Sequence, residues 1–152
     1  YIEYCEDAWL LLRLHNINAA FAERETNSKY YFIDNGLLSL LLTDPTTTLL
    51  ENIVAVSLFR KYGNSNDGER VFFYKQNVEV DFYIPDDELA IQVSYSIEES
   101  DMTEKREVEA LKKLPKALSC KRRLIITYDE EKTIEDEYGV IEVIPCWKWL
   151  IQ

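Results

Sequence analysis

Glycine and proline are scarce, four of each in 152 residues, so sharp turns are limited and connections must be few or short. Histidine occurs once, as His15. With no cysteine or serine elbow near it, nucleophile–histidine chemistry is excluded, and a lone histidine after an apolar helix reads as a helix-end cation or a packing residue. The three cysteines, Cys5, Cys120 and Cys146, are odd in number and widely spaced. They fit neither a disulfide framework nor a zinc site, and read as small buried hydrophobes in a reducing compartment. No apolar run approaches the roughly 20 residues that cross a bilayer. The longest, 37–42, is interrupted by Ser39 and is too short for a signal-peptide core, so no membrane partner is expected and the chain reads as cytoplasmic. No G-x-x-x-x-G-K-[ST] motif occurs, which rules out a P-loop here. Positive charge is also short. Seventeen Lys and Arg face 28 Asp and Glu, a formal net charge of −11, and such a chain repels a phosphate backbone at long range.

What is present is an ordinary globular balance, 47% hydrophobic and 30% charged residues. The chain opens at Tyr1 on a segment with helical character and is read as part of a longer intracellular protein. Residues 2–15 place Cys5, Trp9 and Leu12 on one helical face. Residues 19–24 and 29–34 read as short strands with 25–28 as the turn between them, and 37–42 as a short buried helix. Asp44-Pro45-Thr46 is a helix-start signature, and Thr48 with Glu51 matches a capping box. The helix that follows carries Leu50, Ile53, Val54 and Phe59 at helical spacing, and 63–68 is a loop. Strands are predicted over 70–74, 78–84, 89–95, 123–128 and 140–144. A helix over 102–118, with Asp101 as its cap and Val108, Leu111 and Leu114 as its spine, separates the third of these from the fourth. The order predicts an α/β (α+β) fold, a mixed sheet flanked by helices.

Alternation within 78–84 puts Val78, Val80, Phe82 and Ile84 on one face and Glu79, Asp81 and Tyr83 on the other. In 89–95 the apolar face is Leu89, Ile91, Val93 and Tyr95, and Ala90, Gln92 and Ser94 form the polar one. Strands paired with their polar faces together would bring Asp81 near Gln92 and Ser94, with Glu51 from the preceding helix above them. Lys121-Arg122-Arg123 is a basic run read as solvated, with a small anion patch as the lesser alternative. Trp147 and Trp149 read as a packed terminal helix, with an exposed docking site as the lesser alternative.

A helix bearing Glu51, a hairpin bearing Asp81 and a following strand with the triplet Gln92-Val93-Ser94 resemble the layout of the PD-(D/E)XK nuclease superfamily, the restriction-endonuclease-like fold. Segments 29–38, 49–58, 78–84, 89–96 and 121–129 together resemble the C-terminal domain of a bacterial and archaeal family of AAA-type ATPases. That resemblance implies the end of a winged helix over 1–44, with 19–34 as its wing, and a nuclease-like domain over 45–152. It also implies ATP and Mg²⁺ only for a separate N-terminal module, and no cofactor for this part.

In such nucleases Asp81 and the triplet acid would hold Mg²⁺, with Glu51 beside them, and the lysine would position the attacking water. Here the acid position is Gln92 and the lysine position is Ser94. The double replacement implies a degenerate site, with Lys75 the nearest sequence candidate for a migrated lysine. The expected function is a non-catalytic binding or regulatory domain acting on a protein partner or on its own ATPase module. The alternatives are a Mg²⁺-dependent nuclease with a rearranged site built on Glu51 and Asp81, and a DNA-binding module using Arg13, Arg24 and Lys29. Nucleic-acid binding is disfavoured by the net charge.

Overall fold

In the computed structural model, residues 1–24, 26–43, 46–63, 69–98 and 101–152 are described; for Phe21, residues 101–105 and Pro115 only the backbone is. The chain runs α1 (Ile2–Asp7), β1 (Leu11–Asn16), β2 (Ser28–Phe32), α2 (Asn35–Ser39), α3 (Thr46–Tyr62), β3 (Phe72–Lys75), β4 (Glu79–Ile84) and β5 (Leu89–Val93). It continues through α4 (Asp101–Lys113), β6 (Arg122–Thr127), β7 (Lys132–Asp136), β8 (Gly139–Pro145) and α5 (Cys146–Leu150). All eight strands form one sheet in the order β2-β1-β3-β4-β5-β6-β8-β7. Pairing is parallel at β1/β3, β5/β6 and β6/β8 and antiparallel elsewhere. This is the mixed α/β sheet flanked by helices that the element order implies.

The two faces are covered by different helices. Leu50, Val54 and Leu58 of α3 pack with Leu14, Phe73, Phe82, Ile91, Leu124 and Ile126. On the other face Val108, Leu111 and Leu114 bury the expected spine of α4 against Val80, Tyr83, Ala90, Ile125 and Val143. In α3 the inward stripe is rotated from the one expected. Ile53 is exposed, Phe59 is only half-buried, and Ala55 and Val56 are inside. Among the described residues no helix is long and apolar enough to cross a membrane.

Residues 2–15 correct the sequence expectation most sharply, because the helix stops at Asp7 and β1 begins at Leu11. The Leu-rich run 10–14 suits a two-residue period as well as a helical one. Trp9 resolves the ambiguity by turning the chain at φ 56. In β1 every second residue, Leu12, Leu14 and Asn16, is then buried. His15 therefore sits on a strand, with its Nδ1 beside the Glu69 carboxylate, and not at a helix end. The strand expected over 19–24 is replaced by a single 3-10 turn, Phe21–Glu23. The helix expected over 37–42 is α2, capped at Asp34, whose Oδ1 accepts from the Gly36 and Leu37 amides at 2.6 and 3.2 Å. Only Leu38 of that helix is buried, and Leu40 and Leu41 are exposed. Of the cysteines only Cys146 is fully buried. β7 was not expected, since Lys132–Asp136 alternates half-buried and exposed residues with three charges among five. The helix start at Asp44-Pro45, the side chain of Asp101, Glu25 of the turn 25–28 and residues 64–68 of the loop lie outside those described.

β2 lies at one edge of the sheet, and its outer backbone groups are met by a buried side chain. Asn52 of α3, 1% exposed, accepts from the Phe32 amide at 2.8 Å and donates to the Phe32 carbonyl at 2.8 Å and to Asn35 Oδ1 at 2.7 Å. The amide group thus copies a strand partner and closes the edge. Asn52→Ala leaves three half-buried polar groups without their partner at once. It is expected to cost about 3 kcal/mol, read as a lower urea midpoint at unchanged slope.

Candidate functional site

One extra residue in β4 creates the site. Phe72 pairs with Tyr83 and Tyr74 with Val80, so Asp81 and Phe82 together oppose the single Phe73. This β-bulge reverses the alternation of side chains at Asp81. Val80 consequently points to the α4 face and Phe82 to the α3 face, where strict alternation had put them on one side. Alternation in β5 holds as expected, with Leu89, Ile91 and Val93 toward α3 and Ala90 toward α4. The β4/β5 ladder ends at Phe82 and Ile91, and side chains take over from the backbone beyond it. The Asp81 amide donates to Gln92 Oε1 at 3.0 Å, and the Val93 amide donates to Asp81 Oδ2 at 3.0 Å. Gln92 Nε2 also donates to the Glu79 carbonyl at 3.3 Å and to the carboxylate of Glu107.

The other oxygen of Asp81 meets a cation from the far side of the sheet. Lys29 of β2 places its Nζ 2.9 Å from Asp81 Oδ1, 3.0 Å from Glu79 Oε1 and 3.5 Å from Glu51 Oε1. β1 carries it there, pairing with β2 on one side and β3 on the other. Glu51 accepts from the Tyr31 hydroxyl at 2.7 Å. Thr48 and Glu51 both lie inside α3, so Glu51 faces this cluster instead of serving as a capping partner.

The electrostatics follow from crowding in a partly dry space. Burial opposes the charge of Lys29, yet Asp81 and Glu51 outweigh it and hold the ammonium well above its usual pKa. Burial and the neighbouring Asp81 push the Glu51 carboxyl up, with Lys29 and Tyr31 only partly opposing them. Burial would also raise Glu79, but hydrogen bonds from Lys75 and Lys29 prevail and hold it below the usual carboxylate range. Burial and Glu51 keep the Tyr31 phenol protonated far above its ordinary range.

An open cavity of about 570 Å³ spans this cluster, with Glu51, Asp81, Gln92 and Lys29 on one side and Arg106, Glu107 and Lys113 of α4 on the other. Glu107 is 2% exposed and is held by Gln92 and by Arg106, whose Nε lies 2.9 Å from its Oε1. Ser94 is buried but turned away, its Oγ donating to the Ser96 carbonyl at 2.9 Å. Lys75 is at the rim, 2.8 Å from Glu79 and more than half exposed. Of the residues singled out in the sequence, Glu51, Asp81 and Gln92 converge, while Ser94 contributes only to a turn.

Lys29, Tyr31 and Glu107 are the members that sequence reasoning missed as site residues. The Mg²⁺ that the nuclease resemblance implies would need open oxygen ligands near 2 Å in octahedral array. Three carboxylates converge here on an ammonium instead, and Gln92 offers its oxygen to a backbone amide. Among the described residues no group of three or more His, Cys, Asp or Glu side chains is arranged to hold a metal ion. The residues as folded do not fit the ion.

Comparison with known proteins adds two findings. Residues 46–149 match the family described as domain of unknown function (DUF4143). The uncharacterized protein MJ1544 of Methanocaldococcus jannaschii is 35% identical over 158 residues, covering 98% of this chain and 35% of that protein. The chain thus spans about a third of the length of the curated relative it matches. No solved structure matches it.

Proposed function

The chain belongs to the DUF4143 family, and from that premise we propose that it is a non-catalytic binding or regulatory domain of a longer AAA-type ATPase, carrying a degenerate nuclease-like site. The observation that carries this reading is Lys29. Its ammonium lies at the point where the oxygens of Asp81, Glu79 and Glu51 converge, the place a divalent ion would take in a cutting site. Gln92 is likewise committed to the Asp81 amide and to Glu107. Such a cluster holds strands and helix together without offering an open electrophile. The AAA context rests on the resemblance of segment order, and the partner would be the protein's own ATPase module or another protein.

The test is direct. Purified protein titrated with millimolar MgCl₂ or MnCl₂ is expected to give no binding heat and no shift in melting temperature. Plasmid DNA and single-stranded RNA are expected to stay intact with either metal. Metal-dependent cleavage that disappears in Asp81→Ala would overturn the proposal.

A specific observation favours a second reading, a nuclease with a rearranged site. Lys29 at 2.9 Å from Asp81 and the buried Glu107 beside Gln92 supply the charge types that positions 94 and 92 lack. Under that reading cleavage is present and Lys29→Ala abolishes it. DNA binding through residues 1–42 gains no comparable support. Arg13 is paired with Glu6, and Lys29 is enclosed by carboxylates.

A further inference from the structure

The basic run 121–123 divides three ways in the fold. Lys121 pairs with Glu88, and Arg123 is buried against Asp136. Arg122 stays exposed and lines a second cavity of about 450 Å³, on the α3 side of the sheet and apart from the carboxylate cluster. Arg60 and Lys61 from the last turn of α3 border the same cavity. Its apolar surface comes from Trp149 and Leu150, with Leu58, Leu89 and Leu124 buried beneath them.

Cations in a last helical turn complement the helix dipole, which accounts for Arg60 and Lys61 taken alone. It does not account for Arg122, which arrives from β6, nor for the aromatic and aliphatic surface between them. One acid, Asp87, also lines the cleft, against three cations. Asp87 accepts the Tyr62 hydroxyl, and Glu142 reaches Arg122 only at 4.0 Å. Burial and that Asp87 bond push the Tyr62 phenol up to about 12, so it stays a neutral donor. Among the described residues Arg60 has no ion-pair partner. Three cations against one carboxylate around a cleft of mixed polarity thus stand out on a chain of net charge −11.

We propose that this cleft, formed by Arg60, Lys61, Arg122 and Trp149, binds an acidic peptide segment of a partner protein, an aliphatic side chain seated against Trp149 and flanking carboxylates meeting the arginines. Charge complementarity selects an acidic occupant, and Arg favours carboxylates it can grip through two N–H groups. A nucleic acid fits less well. Its affinity comes from a long track of neutralised phosphates, whereas here only three cations border one short cleft. The proposal concerns a surface distinct from the carboxylate cluster and stands whether or not that site is catalytic.

The probe is a fluorescein-labelled peptide of alternating Glu-Glu-Leu triplets, followed by anisotropy against the whole chain at low salt. Saturable binding is expected, weakened about tenfold in Arg60→Glu/Arg122→Glu, since two rim pairs become repulsions. Lys113→Glu, at the other cavity, is expected to bind like the wild type. Lys61→Glu alone provides a second variant should the double substitution unfold, with about a threefold loss expected. Circular dichroism checks the fold of each. Absence of peptide binding, equal loss in Lys113→Glu, tighter binding of a single-stranded oligonucleotide, or a self-association that competes with the peptide would each overturn the proposal.

Discussion

Lys29→Met is expected to cost about 3 kcal/mol of folding stability at neutral pH, a large share of the roughly 5–15 kcal/mol typical of a domain. The substitution keeps the length of the stem and removes the charge, leaving Asp81, Glu79 and Glu51 facing one another. The low end of the range for a broken buried pair applies because the Lys29 side chain keeps 23% exposure. The sign of the pH dependence distinguishes this loss from a packing defect. Burial and Asp81 already raise Glu51, and Lys29 opposes them. Without the ammonium the Glu51 carboxyl rises further, so at that group the folded variant binds a proton more readily than its unfolded chain. Its stability must then recover as pH falls from 7 toward the ordinary carboxylate range. The wild type should do the reverse where Glu79 is concerned. That group is held low, and its contribution is present above the ordinary carboxylate value and fades as pH drops through the folded one. Urea melts of both proteins at pH 7 and pH 5 read the Glu51 effect, and a further pair near pH 3 reads that of Glu79. A deficit that stays constant between pH 7 and pH 5 would show that charge is not what Lys29 contributes.

The same substitution should also create what the native site lacks. Three carboxylate oxygens left around an emptied point are oxygen ligands suited to Ca²⁺ or Mn²⁺. Millimolar metal is expected to raise the melting temperature of Lys29→Met and to leave the wild type unchanged.

Arg123→Met is the other substitution with a large expected effect, about 3 kcal/mol, because it leaves the Asp136 carboxylate without its counter-charge and, among the described residues, with only the Tyr138 amide as partner. Arg123 and Asp136 are 2% and 7% exposed at their side chains and bond through two contacts of 2.6 and 2.7 Å. They tie β6 to the edge strand β7 across β8. The double variant Arg123→Met/Asp136→Leu should recover to within about 1 kcal/mol of the wild type, since two apolar side chains replace the pair without an orphan. The Arg123 hydrogen bonds hold the Asp136 carboxyl low, against a smaller burial effect. Its share of stability is therefore present above the unfolded carboxylate value and lost as pH falls through the folded one. Acid titration of the unfolding free energy should be shallower in the double variant. Equal acid sensitivity in both proteins would remove the pair from that account.

Local pattern made much of this architecture legible. The strands of the central sheet are β-branched and aromatic runs between turn residues, and α4 shows its Val108, Leu111 and Leu114 spine at helical spacing. Those features depend on neighbours in sequence. β1 was misread because its leucines satisfy both periods, and only the backbone turn at Trp9 separates helix from strand. β7 was missed because a charged, half-buried edge strand carries little hydrophobic signal. In the site, Glu51, Asp81 and Gln92 were found because a motif of fixed order joins them. Lys29 lies 52 positions from Asp81, and its approach depends on β1 pairing in parallel with β3. No local pattern encodes that. The bulge at Asp81 was equally silent, since it follows from register against β3 and not from the alternation of 78–84 itself.

The hairpin of β1 and β2 also divides the cluster's charge along the chain. The family match begins at residue 46, so Glu51, Glu79 and Asp81 fall within it, and Lys29 and Tyr31 fall before it. A protein trimmed to the matched span would inherit three anions with only Lys75 beside Glu79, and shed the cation on which all three converge. The unit of sequence similarity is therefore smaller than the charge cluster it cuts through, and any excised version would have to replace the missing ammonium from salt, metal or another chain.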